Sequence, residues 1–101
     1  MFVYNVTIKV NDSIKEDWLI WLKTTHIPEV MATGCFNGVT VHRLLDVDDQ
    51  EGPTYIIQYQ VGSRSNYDRY INEFAGTLRQ RSFDKWGDQF IGFRSLLQVV
   101  E

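Results

Sequence analysis

The chain has 101 residues, 44% of them apolar and 14% aromatic, which suffices for one domain with a modest core and no metal or disulfide staple. Ten Lys and Arg against thirteen Asp and Glu leave a net charge of −3, so the basic footprint of a general nucleic-acid binder is missing. The single cysteine, Cys35, excludes an intrachain disulfide and fits a reducing, cytoplasmic setting.

The opening "MFVYNVTIKV" lacks the basic start of a signal peptide. It alternates, with Phe2, Tyr4, Val6, Ile8 and Val10 on one face and Val3, Asn5, Thr7 and Lys9 on the other, which predicts a strand. In "NDS", Ser13 and Glu16 have capping-box spacing. Ile14, Trp18, Trp21 and Leu22 then recur at helical spacing, with Lys15, Glu16, Asp17 and Lys23 between them for a solvated face. Pro28 disfavours helical geometry at Ile27, so the first helix is expected to end near His26 and a short new turn to start at Pro28. Gly34 suits the left-handed end of that turn.

Residues 36–47 read as the second strand, the acidic "DDQEGP" as a turn, and residues 54–61 as the third strand. Ser63 or Ser65 can cap a second helix. Tyr67, Tyr70, Ile71, Phe74, Ala75 and Leu78 keep helical spacing throughout. "RSFDKWGD" reads as a connector and residues 89–100 as the last strand. No apolar run approaches the roughly 18 residues of a membrane span, so no membrane partner is expected.

The order β-α-β-β-α-β predicts a single α+β domain over residues 1–101, the ferredoxin-like plait. It has a four-stranded antiparallel sheet, the first and third strands central, and both helices on one face. The other face must then be wet, paired with a second subunit, or used for binding. Asn5, Thr7, Gln58 and Gln60 fall on that open face from the central strands, Thr40 and His42 from the second strand, and Phe90, Arg94 and Leu96 from the last. Face-to-face packing of two sheets in a homodimer would let Asn5, Thr7, Gln58, His42 and Arg94 line an enclosed small-molecule cavity, with His26 at its mouth. Arg94 lies among apolar residues and calls for a partner, either a carboxylate or an anionic ligand.

Several stretches look familiar together: "VYNVT", "WLIWLKTTHIPEVMATGCF", "IQYQV" and "FIGFRSLLQVV". Along nearly its whole length the chain resembles the bacterial family called domain of unknown function 4286. Trp-x-x-Trp, His-Ile-Pro-x-Val and Thr-Gly-x-Phe are the most specific parts. The wider group it is similar to is the dimeric α+β barrel, which spans small monooxygenases, isomerases, haem-degrading enzymes and proteins without known activity. The resemblance implies fold and dimer, and carries no catalytic residue across.

His26 has two readings: a helix-end histidine bonded to a free carbonyl, or an acid/base and ligand donor at the barrel mouth. His26 and Glu29 form a His-x-x-Glu pair, but Pro28 interrupts it. Two histidines and one cysteine leave a closed zinc site short of ligands, so no metal, haem or other cofactor is expected. Cys35 reads as a small buried residue, and Trp18 and Trp21 as core or interface. "TYIIQYQV" lacks the basic and glycine signature of an RNA-recognition strand. Three functions stay open: a small-molecule-binding dimeric barrel, an oxygenase or isomerase needing no cofactor with His26 or His42 as acid/base, and a non-catalytic dimerisation module.

Overall fold

The computed structural model describes all residues, 1–101. Strand β1 (Phe2–Val10) is followed by a 3-10 turn (Asp12–Ile14) and a first helix, α1, over residues 15–31. Strands β2 (Gly38–Arg43) and β3 (Thr54–Val61) form a hairpin. A second helix, α2, runs over residues 64–86, and β4 (Phe90–Gln98) closes the domain. All pairings are antiparallel and the spatial order is β2-β3-β1-β4, the ferredoxin-like plait expected of the pattern, with β1 and β3 central.

Alternation along β1 does the main work. Tyr4, Val6, Ile8 and Val10 are all buried, and β3 adds Ile57, Tyr59 and Val61 to the same layer. Trp18, Leu22 and Val30 from α1, Cys35 and Phe36 from the loop after it, and Tyr70, Ala75, Leu78 and Trp86 from α2 complete the core. Trp18 stacks on Tyr55 with ring centroids 5.6 Å apart. Burial of such side chains is worth about 1.5–3 kcal/mol each, so this layer holds the helices to the sheet.

Five local expectations are corrected. The first concerns the helix break. Ile27 keeps helical angles (φ −59°, ψ −46°), so α1 does not stop at Pro28. Instead Leu22–His26 forms a π turn, in which the Ile27 N–H donates to the Leu22 carbonyl. Proline lacks an N–H and its ring presses on the carbonyl four residues back, and a widened turn relieves both conflicts without ending the helix. Thr24 Oγ1 donates to the Ile20 carbonyl at 2.7 Å and so occupies one acceptor of the disturbed ladder.

Second, "RSFDKWGD" is helical as far as Trp86, where Gly87 (φ +60°) ends α2 with its N–H on the Phe83 carbonyl. Ser82 interrupts the apolar stripe between Leu78 and Trp86 and hides the continuation. Third, the Ser13–Glu16 capping box does not form: Asn11 Oδ1 accepts from the Ser13 N–H at 3.0 Å and Oγ at 2.9 Å. Ser63 does cap α2, accepting from the Asn66 N–H at 3.2 Å, and Gly34 takes a left-handed φ of +74° as expected. The second strand is shorter than its pattern, because Leu44–Val47 leaves the sheet and is exposed.

The face of β4 is also reversed. Its register sets Phe90 opposite Val10, Gly92 opposite Ile8, Arg94 opposite Val6 and Leu96 opposite Tyr4. Directly opposed residues share a face, so Phe90, Arg94 and Leu96 lie on the helix side. Ile91, Phe93, Ser95 and Leu97 occupy the open face instead. Both faces of "FIGFRSLL" are apolar, so the strand's own pattern does not choose between them.

Candidate functional site

A small cavity lies between the sheet and the two helices, inside the protomer, with about 40 Å³ open to the centres of water molecules. On this measure one water needs about 10–15 Å³, so roughly three waters would fill it. Of its 16 lining residues 12 are hydrophobic, and the rest include His26, Arg79, Ser82 and Arg94. No Asp or Glu lines it.

The π turn brings His26 to this place. In a regular helix, residues five apart point about 140° away from each other. The widened turn instead lays the imidazole on the Trp21 indole, with centroids 4.9 Å apart and planes 21° from parallel. Trp86 meets the other part of Trp21 edge-on at 5.9 Å. His26 therefore sits within a continuous helix with its ring against the cavity, and it makes no hydrogen bond to a helix carbonyl. Burial pushes its pKa below the usual histidine value, the Glu29 carboxylate pulls it back up, and Arg94 pushes it further down. The imidazole is accordingly neutral at pH 7.

From β1, Tyr4 anchors an aromatic cluster, with Tyr59 at 6.0 Å and Tyr67 and Tyr70 each at 5.6 Å. Its hydroxyl accepts from Arg79 Nη2 at 3.1 Å. Tyr59 and Tyr70 are largely buried and line the cavity; their hydroxyls bond no other protein group but keep some solvent access, and Trp86 Nε1 is the one fully buried polar side-chain atom without a partner. Burial raises the pKa of both, so both are neutral phenols, and the Arg79 and Arg94 guanidinium groups lean the other way on Tyr70. Arg94 lines the cavity from β4 and is itself exposed to solvent. It forms neither an ion pair nor a hydrogen bond, whereas Arg43, Arg64 and Arg81 each hold a carboxylate.

Only two of the six residues anticipated to bind ligand, His26 and Arg94, meet at this cavity. Asn5, Thr7 and Gln58 lie across the sheet on the open face, where Gln58 Nε2 donates to Asn5 Oδ1 at 3.0 Å and Asn5 Nδ2 to Thr7 Oγ1 at 3.3 Å. His42 is exposed on the same face and bonds Thr40 Oγ1 at 2.9 Å. Within one protomer the sheet stands between His26 and the pair Asn5 and Gln58. Sequence reasoning missed Tyr59, Tyr70, Arg79 and Ser82. The available signal was polar groups at helix-side positions: tyrosine where phenylalanine would fill space, and Ser82 within the stripe of α2. No three His, Cys, Asp or Glu side chains converge as a metal site would require.

The family described as a domain of unknown function (DUF4286) matches residues 1–100. The chain belongs to that family. No curated protein matches the DUF4286 chain in sequence. Solved structures similar to it include a dimeric ferredoxin-like protein from an uncultured marine organism, 18% identical, with a TM-score of 0.74 over 99% of this chain and 96% of that one. SnoaB, a cofactor-independent oxygenase from Streptomyces nogalater, is 13% identical with a TM-score of 0.69 over 99% and 94% of the two chains. An ethyl tert-butyl ether d (ethd) family protein from Bacillus halodurans is 11% identical with a TM-score of 0.68 over 99% and 100%. At these identities the likeness is one of fold, and it agrees with the four-stranded sheet and two helices described above.

Proposed function

We propose that this DUF4286 protein binds a small molecule in the helix-side cavity of each protomer and works as a homodimer closed through its open sheet faces. One observation carries the binding reading. His26, Arg94 and the Tyr59 and Tyr70 hydroxyls converge on one cavity without partners of their own, amid an otherwise apolar lining. Ligand sites have this character, a mostly apolar lining with a few convergent polar groups.

The dimer reading rests on the open face. Ile91, Phe93 and Leu97 are 56%, 65% and 42% exposed there, a strip too apolar for a solvated sheet. Gln58 donates to Asn5 and Asn5 to Thr7, so part of the hydrogen bonding of these amides is already met within the sheet, which lowers the cost of covering them. A cytoplasmic setting belongs to the same proposal, supported by the lone, reduced Cys35. No helix is long and apolar enough to cross a membrane.

A second reading is favoured by one feature, the neutral His26 beside a free guanidinium. A neutral imidazole accepts a proton from an acidic substrate, and Arg94 would stabilise the anion left behind. This is the chemistry an oxygenase or isomerase without a cofactor needs, and the likeness to SnoaB agrees with it. His42 would contribute only where a partner subunit enclosed it.

A thermal-shift screen of small molecules against the native chain and His26→Gln tests the binding reading. Hits that stabilise the native chain and lose their effect in the variant support it. A set of hits indifferent to His26→Gln would place binding elsewhere. For the dimer, light scattering at micromolar concentration should give twice the chain mass, and Phe93→Glu should halve it. A monomeric native chain would end that part of the proposal.

A further inference from the structure

The ligand's chemical class can be read from the charges around the cavity and from its size. Two arginines and one histidine line the space and no carboxylate does, in a chain whose net charge is −3. Arg79 already serves the Tyr4 hydroxyl, while all five donors of Arg94 are free. An arginine fork matches a planar carboxylate in two parallel hydrogen bonds. The flat wall made by the stacked Trp21 and His26 rings favours a planar group over a tetrahedral one. A space for roughly three waters takes a head group of three or four heavy atoms and leaves anything larger to project outward.

We propose, building on the binding reading above, that the site takes carboxylate-bearing small molecules, with the carboxylate inserted between Arg94 and His26 and the remainder of the ligand leaving past Arg94 into solvent. Tyr70 lines the same cavity as Arg94, and its hydroxyl supplies a further donor to the inserted group. An anion at this position favours the protonated imidazole, so binding draws a proton onto His26. The charged and titratable groups around that ring are Glu29 on its own helix, Arg94 on β4, Arg79 and Tyr70 on α2, Tyr59 on β3 and Tyr4 on β1. Burial keeps Tyr59 and Tyr70 neutral across the physiological range, and His26 is the group that takes up the proton on binding.

The test compares benzoate, its neutral analogue benzamide, and inorganic phosphate by calorimetric and NMR titration of the intact protein. Benzoate should bind at least about tenfold more tightly than benzamide, as charge-assisted pairing implies. Its affinity should rise as pH falls from 8 to 6, with proton uptake that disappears in His26→Gln. Arg94→Gln should bring benzoate down to the benzamide level while circular dichroism stays native. Arg79→Gln should weaken benzoate less than Arg94→Gln does. Equal binding of benzoate and benzamide, with shifts at His26 and Trp21, overturns the carboxylate assignment and leaves the cavity as a binding site. Phosphate binding more tightly than benzoate, or Arg79→Gln having the larger effect, also overturns it. Failure of all three probes to shift His26 and Trp21 counts against both the carboxylate and the cavity.

Discussion

Val6→Ile should leave the fold intact and slightly stabilised while narrowing the ligand site. Val6 is buried on β1, lines the cavity and lies opposite Arg94 in the register. The variant adds one methylene on a β-branched residue that a strand accommodates well. The cavity offers about 40 Å³ to water centres, and one methylene takes up about the place of one water. The addition therefore fills space that exists, and its burial is worth up to about 0.8 kcal/mol. The gain falls toward zero where the methylene displaces a water bonded to a tyrosine hydroxyl. For a domain of this length the upper limit corresponds to a rise in Tm of about 3–6 °C. Val61 is a useful control, since it is fully buried and does not line the cavity. Val61→Ile should instead show the overpacking penalty of about 1–3 kcal/mol. Urea denaturation of both variants at one fixed protein concentration makes the comparison, because dimerisation couples stability to concentration. If Val6→Ile costs as much as Val61→Ile, the space beside Val6 is not there and the reasoning fails.

Other expectations follow from single contacts. Gly52 has a φ of +143°, and a Cβ there would land on the Val10 carbonyl oxygen, so Gly52→Ala should cost about 3 kcal/mol or more in chemical denaturation. Ser63→Ala removes the side-chain cap of α2 and should cost about 1 kcal/mol. The pKa of His26 is lowered in the folded chain, so the unfolded chain binds the proton first as pH falls. Stability contributed by the neutral ring is full above the unfolded value of about 6.5 and declines as pH drops below it toward the lower folded value. Relative to His26→Gln, the native chain should lose stability on going from pH 7.5 to 5.5. A difference that is flat or of opposite sign would mean the ring is not buried in its neutral form.

The frame of this fold was legible in the sequence because its signals are local. The alternation of β1, the Ser63 cap and the glycine at position 34 each state their structure within a few residues, and the spacing from Tyr67 to Leu78 states a helix though not its π turn at Ile71–Ala75. The site was less legible because it depends on long-range and irregular geometry. The face of Arg94 follows from pairing with β1 and cannot be read from a strand apolar on both sides. His26 reaches Trp21 only through a π turn, and spacing rules built on 3.6 residues per turn separate the two. Pro28 marked the irregularity correctly, but a widened turn and an ended helix leave similar traces in sequence. The polar residues of the open face were assigned to their strands correctly, and the sheet itself keeps them from the cavity.

The central claim is that ligand enters between sheet and helices and meets Arg94 and His26. A crystal structure of the dimer grown with benzoate tests it most directly. The carboxylate should lie within hydrogen-bonding distance of the Arg94 guanidinium and beside the His26 ring, once in each protomer. Benzoate bound instead between the open faces, against Asn5, Gln58 and His42, would contradict it.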